Sequence, residues 1–191
     1  MAWSKTKQQL ESFICDGLKG RVEYKSTAYK YASDKSGKCY ITVDKKEVFS
    51  MSDAKSIVTW YKLEQEIKKD SSIQVQVTQE EIQAVSKELG DAIPVDRLEV
   101  IAKNRKQSEV AKQIMTAQAI LSKSDFYQAA NTFLSSSIDN CINGNDIILN
   151  ILALIDRRVG KKRLRDLRFR IQMKHPIVQY FYKLRCEVEG I

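Results

Sequence analysis

Apolar and polar residues change period twice along the chain. From residue 4 the spacing is helical, with Leu10, Phe13 and Ile14 on one side, Ser4 as a candidate N-cap, and Gly17 and Gly20 placed to stop the helix. Residues 21 to 51 then turn extended. Arg21 to Tyr31 sets four Tyr and Val residues among polar ones, and in Lys38 to Asp44 the residues Cys39, Ile41 and Val43 alternate with Tyr40 and Thr42. Asp34 to Gly37 carries hairpin-turn residues, and Asp44-Lys-Lys gives a second reversal before a short strand from Glu47 to Met51. Ser52 and Asp53 open a helix whose Ile57, Trp60, Tyr61, Glu64 and Ile67 fall near one face.

The helical period dominates from there on. Ile73, Val75 and Val77 alternate as a linker or an edge strand, and Thr78 with Glu81 has the spacing of a capping box. A helical pattern from Pro94 to Lys123 is long enough to predict a break near Asn104 to Ser108. Ser124 is placed to cap the next helix, and Asn143-Gly-Asn marks a turn. Asp146 to Arg157 is apolar on nearly all sides, which puts it at the centre of a bundle. In a helix over Val159 to Met173, Leu164, Leu167 and Ile171 form an inward stripe, and His175-Pro176 ends it. A last helix carries Phe181 and Leu184 inward. The pattern predicts an α+β protein: a small α-β-β-β-α unit over residues 1–72 with an antiparallel sheet, then a helical bundle over residues 73–191.

Composition adds exclusions. The 191 residues are 43% hydrophobic and 29% charged, ordinary values for a globular chain. No apolar stretch approaches the roughly 20 residues of a membrane span, and the N-terminus lacks the apolar core of a secretory signal. Neither a membrane partner nor an exported protein is expected. Cys15, Cys39, Cys141 and Cys186 stand far apart without zinc-ligand spacing, which predicts free thiols in the core and no metal site.

Trp3-Ser4, CYITVD at 39–44, LNILALIDRRVGKKRL at 149–164 and HPIVQYFYKLRCE at 175–187 together resemble an uncharacterised family of bacterial hypothetical proteins of about this length. The resemblance spans the chain and implies a bacterial, cytoplasmic setting. That family has no assigned activity, so no site residue follows from it. Separately, the order helix, three strands, helix matches the topology of a double-stranded-RNA-binding domain. The lysine cluster which that domain needs at its second helix is reduced here to Lys55.

Charge changes the picture most. Arg157 to Arg170 holds eight Lys or Arg and one Asp, so +7 of the chain's net +8 lies in fourteen residues. Opposite the inward stripe, Arg158, Lys161, Lys162, Arg165 and Arg168 gather with a spacing suited to phosphates. The competing reading is a solvated face paired with some of the 24 acidic residues. Asp156 follows a fully apolar run and should pair with Arg157 or Arg163 as a structural contact. His175, the single histidine, suits capping the last carbonyls of the basic helix. Tyr24, Tyr29, Tyr31 and Tyr40 could stack bases, but covering a small sheet is the simpler role.

Without a P-loop, a G-x-G-x-x-G or an H-E-x-x-H, the chain has no sequence support for nucleotide or zinc-hydrolase chemistry and implies no cofactor. An enzyme built on carboxylates alone has the least support. The reading that results is a non-catalytic bacterial cytoplasmic protein that contacts nucleic acid or another polyanion through its basic helix. The alternative is an inhibitor- or immunity-type module that binds an acidic protein. A homodimer through the Tyr/Trp-rich N-terminal unit is a further option.

Overall fold

The computed structural model describes residues 3–70, 75–90 and 93–191. In chain order these form α1 (Trp3–Phe13), a 3-10 turn (Asp16–Leu18), β1 (Val22–Ala28), β2 (Gly37–Val43), β3 (Lys46–Ser52), α2 (Asp53–Lys69), α3 (Gln79–Leu89), α4 (Val95–Ala117), α5 (Lys123–Ser135), α6 (Ile138–Asn143), α7 (Ile147–Ile155), α8 (Lys161–Gln172) and α9 (Pro176–Glu189). The protein is α+β: a three-stranded antiparallel sheet in the order β1-β2-β3, with helices in most of the rest. Among the described residues no helix is long and apolar enough to cross a membrane.

The strands follow the alternation as far as Ile41; Thr42, expected on the face opposite Ile41 and Val43, is buried with them where the β2–β3 register shifts between Ile41 and Thr42. Val22, Tyr24, Cys39, Ile41, Val43 and Met51 are buried, and Tyr24 pairs across to Ile41. Tyr31 is exposed and Lys38 lies over the Tyr40 ring, so the four tyrosines form no common stacking surface. At the β2–β3 reversal Asp44 and Lys45 have φ of 48° and 67°, the conformation of a tight two-residue hairpin. Arg21 grips Asp44 through two bonds of 2.9 Å. Gly37 is obligatory: a Cβ there would lie 1.9 Å from the Thr27 carbonyl oxygen. The Asp53 carboxylate accepts the Gly37 N–H at 2.8 Å and the Lys123 N–H at 2.9 Å, joining the hairpin to the start of α5.

The chain packs as two compact units. One compact unit is Met1–Lys55 with Ala119–Ile191, the other Ser56–Gln118. The sheet has an apolar face to cover, and α1 and α5 cover it: Leu10, Phe126 and Ala130 share one core with Val22, Ile41 and Met51. Phe133, Ile151, Leu154, Leu164 and Phe181 extend that core into the C-terminal helices. α7 is buried along nearly its whole length and packs on α5, α6 and α9, the central position its apolarity predicts. Its Asn150 donates to the carbonyls of Cys141 (2.8 Å) and Gly144 (3.0 Å) and so fixes the α6–α7 turn. Caps fall a little off their expected places. Ser122, with Asp125, forms the capping box of α5 where Ser124 was expected, and Ser4 lies inside α1.

The second unit packs α3 on α4 around Val85, Leu98 and Ala102. The Thr78–Glu81 capping box forms as predicted. α4 runs unbroken through Asn104 to Ser108, since that stretch holds neither Gly nor Pro and Ser108 is tied to the buried Glu64 at 2.9 Å. The buried face of α2 is offset from the expected one: Ser56, Glu64 and Ile67 are inside, while Ile57 and Tyr61 are exposed. Val75 and Val77 belong to no strand, and Ile73 lies outside the described residues.

Candidate anion-binding surface on the basic helix

α8 forms because its apolar residues keep one stripe. Leu164, Leu167 and Ile171 are all at most 5% exposed and join the main core. Everything cationic is thereby turned outward or sideways. Gly160 precedes the helix without a side-chain cap, and its first turn holds Lys161, Lys162 and Arg163 with no acidic residue. Cations beside the positive end of a helix dipole oppose the usual preference, which an external anion would satisfy.

One flank of the cationic segment is spent on internal contacts. Arg163 pairs with Asp139 of α6. Arg170 donates to Asn143 Oδ1 at 2.8 Å, and Lys174 donates to the Gly144 carbonyl at 2.7 Å. Both contacts hold the C-terminal part of α8 to the α6–α7 turn.

The five residues of the expected site separate into two groups. Arg158 is bound internally: its guanidinium donates to both oxygens of Asp156 at 2.6 to 3.1 Å, and its plane lies over the Phe13 ring, 4.2 Å from the centroid. That ion pair raises the Arg158 pKa further above its ordinary value. The buried Asp156 therefore takes Arg158 as partner, where Arg157 or Arg163 was expected, because α7 stops at Ile155 and the following turn folds residue 158 back. Lys161, Lys162, Arg165 and Arg168 are exposed and, among the described residues, make no hydrogen bond or ion pair through their side chains.

Two residues that sequence reasoning left out stand beside those four. Phe169 is 77% exposed and Met173 is 89% exposed. Phe169 follows Lys162 by seven residues and Arg165 by four, so it stands in the same sector of the helix. That spacing was present in the sequence. A groove of about 780 Å³ opens between α8 and α9, with Arg165, Arg168 and Phe169 on one wall and Tyr182, Lys183, Cys186 and Glu187 on the other. The Tyr182 hydroxyl donates to the Leu164 carbonyl at 2.8 Å, and burial foremost pushes its pKa up to about 12.

His175 caps the helix after it, in place of the one before it. Its Nδ1 accepts the Ile177 N–H at 3.1 Å at the start of α9, and burial pushes its pKa below the ordinary 6.5. A folded-state pKa below the unfolded one means that the unfolded chain binds the proton first. Stability is then fully present above about pH 6.5 and falls as the pH drops through the window just below it. Urea midpoints at about pH 7.5 and about pH 5.5 should differ more for the wild type than for His175→Asn, which keeps an N-cap acceptor without a titrating ring.

Three thiols, Cys15, Cys39 and Cys141, are buried and have pKa values raised by that burial, while Cys186 is half-buried. None forms a disulfide.

The fold and this surface define an α+β protein with a cationic helical ridge beside an aromatic-lined groove. A family model matches residues 2–186, and the chain belongs to the SF0329 protein family. Comparison with curated proteins and with solved structures returns no match.

Proposed function

We propose that the protein is a non-catalytic, cytoplasmic binding protein that holds a polyanion, nucleic acid first among them, on Lys161, Lys162, Arg165 and Arg168. The observation that carries this reading is that these four exposed cations, on one helix, have no internal partner among the described residues. Clustered like charges repel one another, and an external polyanion relieves that repulsion while releasing its own counterions. Arg158 leaves the expected set of five because Asp156 already neutralises it.

Fluorescence anisotropy with labelled oligonucleotides of generic sequence tests this. Wild type should bind at about 50 mM salt and weaken steeply by about 200 mM, with a log–log slope near −0.9 per duplex phosphate neutralised, or roughly −3 to −4 for four contacts. Changing the four residues together to Gln should abolish binding at low salt, whereas Arg158→Gln should leave the slope unchanged. Absence of wild-type binding to any polyanion at low salt, or equal binding by the fourfold variant, overturns the proposal.

A further inference from the structure

We infer that the nucleic acid held by α8 is single-stranded, and that the α8–α9 groove seats one of its bases against Phe169. The inference rests on the polyanion reading above and narrows it to one ligand class. A duplex keeps its bases stacked inside and presents phosphates outward, so an aromatic ring on the contacting face would gain nothing from it. Phe169 is 77% exposed and, among the described residues, has neither a ring partner nor a cation over its face. It lies one helical turn from Arg165 and next to Arg168. A flexible strand that lays its phosphates on the Lys161–Arg168 ridge can therefore turn a base onto the phenyl ring. Single strands are bound in this way in general, by a cationic track with aromatic platforms along it.

The groove has the shape and charge for that base. Its volume of about 780 Å³ is in the range of small-molecule sites. Cationic charge is also concentrated on one wall. Arg165 and Arg168 line the α8 side, while on the α9 side Lys183 is offset by the Glu187 carboxylate, which can accept from a base amino group. The backbone is thus directed to the ridge and the neutral base to the groove. A carboxylate side chain would gain from the same cations, Lys183 included, but has no ring to lay on Phe169.

The experiment uses three probes of about twelve nucleotides at one salt concentration: a single strand of mixed pyrimidines, the corresponding duplex, and an abasic strand with the same phosphates. Wild type should bind the single strand about tenfold or more tighter than the abasic strand, the gain expected from stacking one base. Phe169→Ala should remove that difference and leave abasic affinity unchanged, and Phe169→Trp should restore it. The single strand, but not the abasic one, should also slow alkylation of Cys186, the half-buried thiol in the groove wall.

If none of the three probes binds, the polyanion reading itself is lost. If all three bind with affinities set by charge alone, or if Phe169→Ala weakens them equally, only the base seat is lost. Tighter binding to phosphatidylglycerol vesicles or to polyglutamate than to the single strand, with the same dependence on Phe169, overturns the inference in favour of a membrane or an acidic protein.

Discussion

Replacing Arg185 by methionine lowers the stability of the protein by about 2–4 kcal/mol, read as a shift of the urea midpoint at constant slope. Arg185 is 2% exposed in the middle of α9. Its guanidinium donates to the Val159 carbonyl at 2.9 Å and the Ile155 carbonyl at 3.3 Å, and it pairs with Glu189 at 3.0 Å. Ile155 keeps a second partner in the Cys15 N–H, so the Val159 carbonyl is the group left without its bond. Methionine fills most of the volume, so the loss comes from that orphaned carbonyl and from the Glu189 charge and not from a cavity. Glu189 retains some access to water, which keeps the figure below that of a wholly buried pair. Adding Glu189→Gln to the variant should recover part of the loss. The consequence reaches the surface, because the two carbonyls belong to the end of α7 and the residue before Gly160. Arg185 thereby fixes the point from which the basic helix starts.

How much of this was legible depends on the range of the interaction. Strands β1 to β3, the hairpin at Asp44, the central place of α7 and the inward stripe Leu164, Leu167, Ile171 were all readable, because each depends on residues a few positions apart. The cover of the sheet was not. A sheet has one apolar face, and nothing local in residues 22–52 tells that Phe126 and Ala130, some seventy or more residues on, will cover it.

Polar partners inside the fold were legible only in part. Arg185 stands four positions after Phe181 and seven after Val178, both buried, so helical spacing alone placed it inward. A charged residue at an inward position is the signal that was passed over. The partner of Asp156 depended on where α7 stops, and helix ends are the least certain feature of a sequence pattern.

The same distinction between local pattern and tertiary pairing decides which cations are free. By charge count the segment 157–170 is one patch. In the fold it separates: Arg158, Arg163 and Arg170 are consumed by Asp156, Asp139 and Asn143, Arg157 stands exposed in the turn before α8, and a ridge of four cations has Phe169 among them. A charge run therefore counts Arg158 with the exposed cations, although it is paired to Asp156, and says nothing of the exposed Phe169 beside them.

Arg158→Ala is expected to cost about 2–4 kcal/mol, and more than Asp156→Ala, although both break the same ion pair. The asymmetry follows from exposure: the Asp156 side chain is 0% exposed and that of Arg158 is 40%. Remove the arginine, and a carboxylate stays sealed in the core with only the residue-158 N–H, at 2.7 Å, to stabilise it. The stacking over Phe13 is lost as well. Remove the aspartate, and the guanidinium can turn into water, so the cost is about 1–2 kcal/mol for the unmade hydrogen bonds. The double variant should then be less destabilised than the sum of the two, with an interaction of about 1–3 kcal/mol in a double-mutant cycle. Additive losses would mean that the two groups act separately and that Arg158 is available to an outside anion after all. Anisotropy on the same variants closes the point, since Arg158→Ala should weaken folding while the salt slope of oligonucleotide binding stays where the four ridge cations set it.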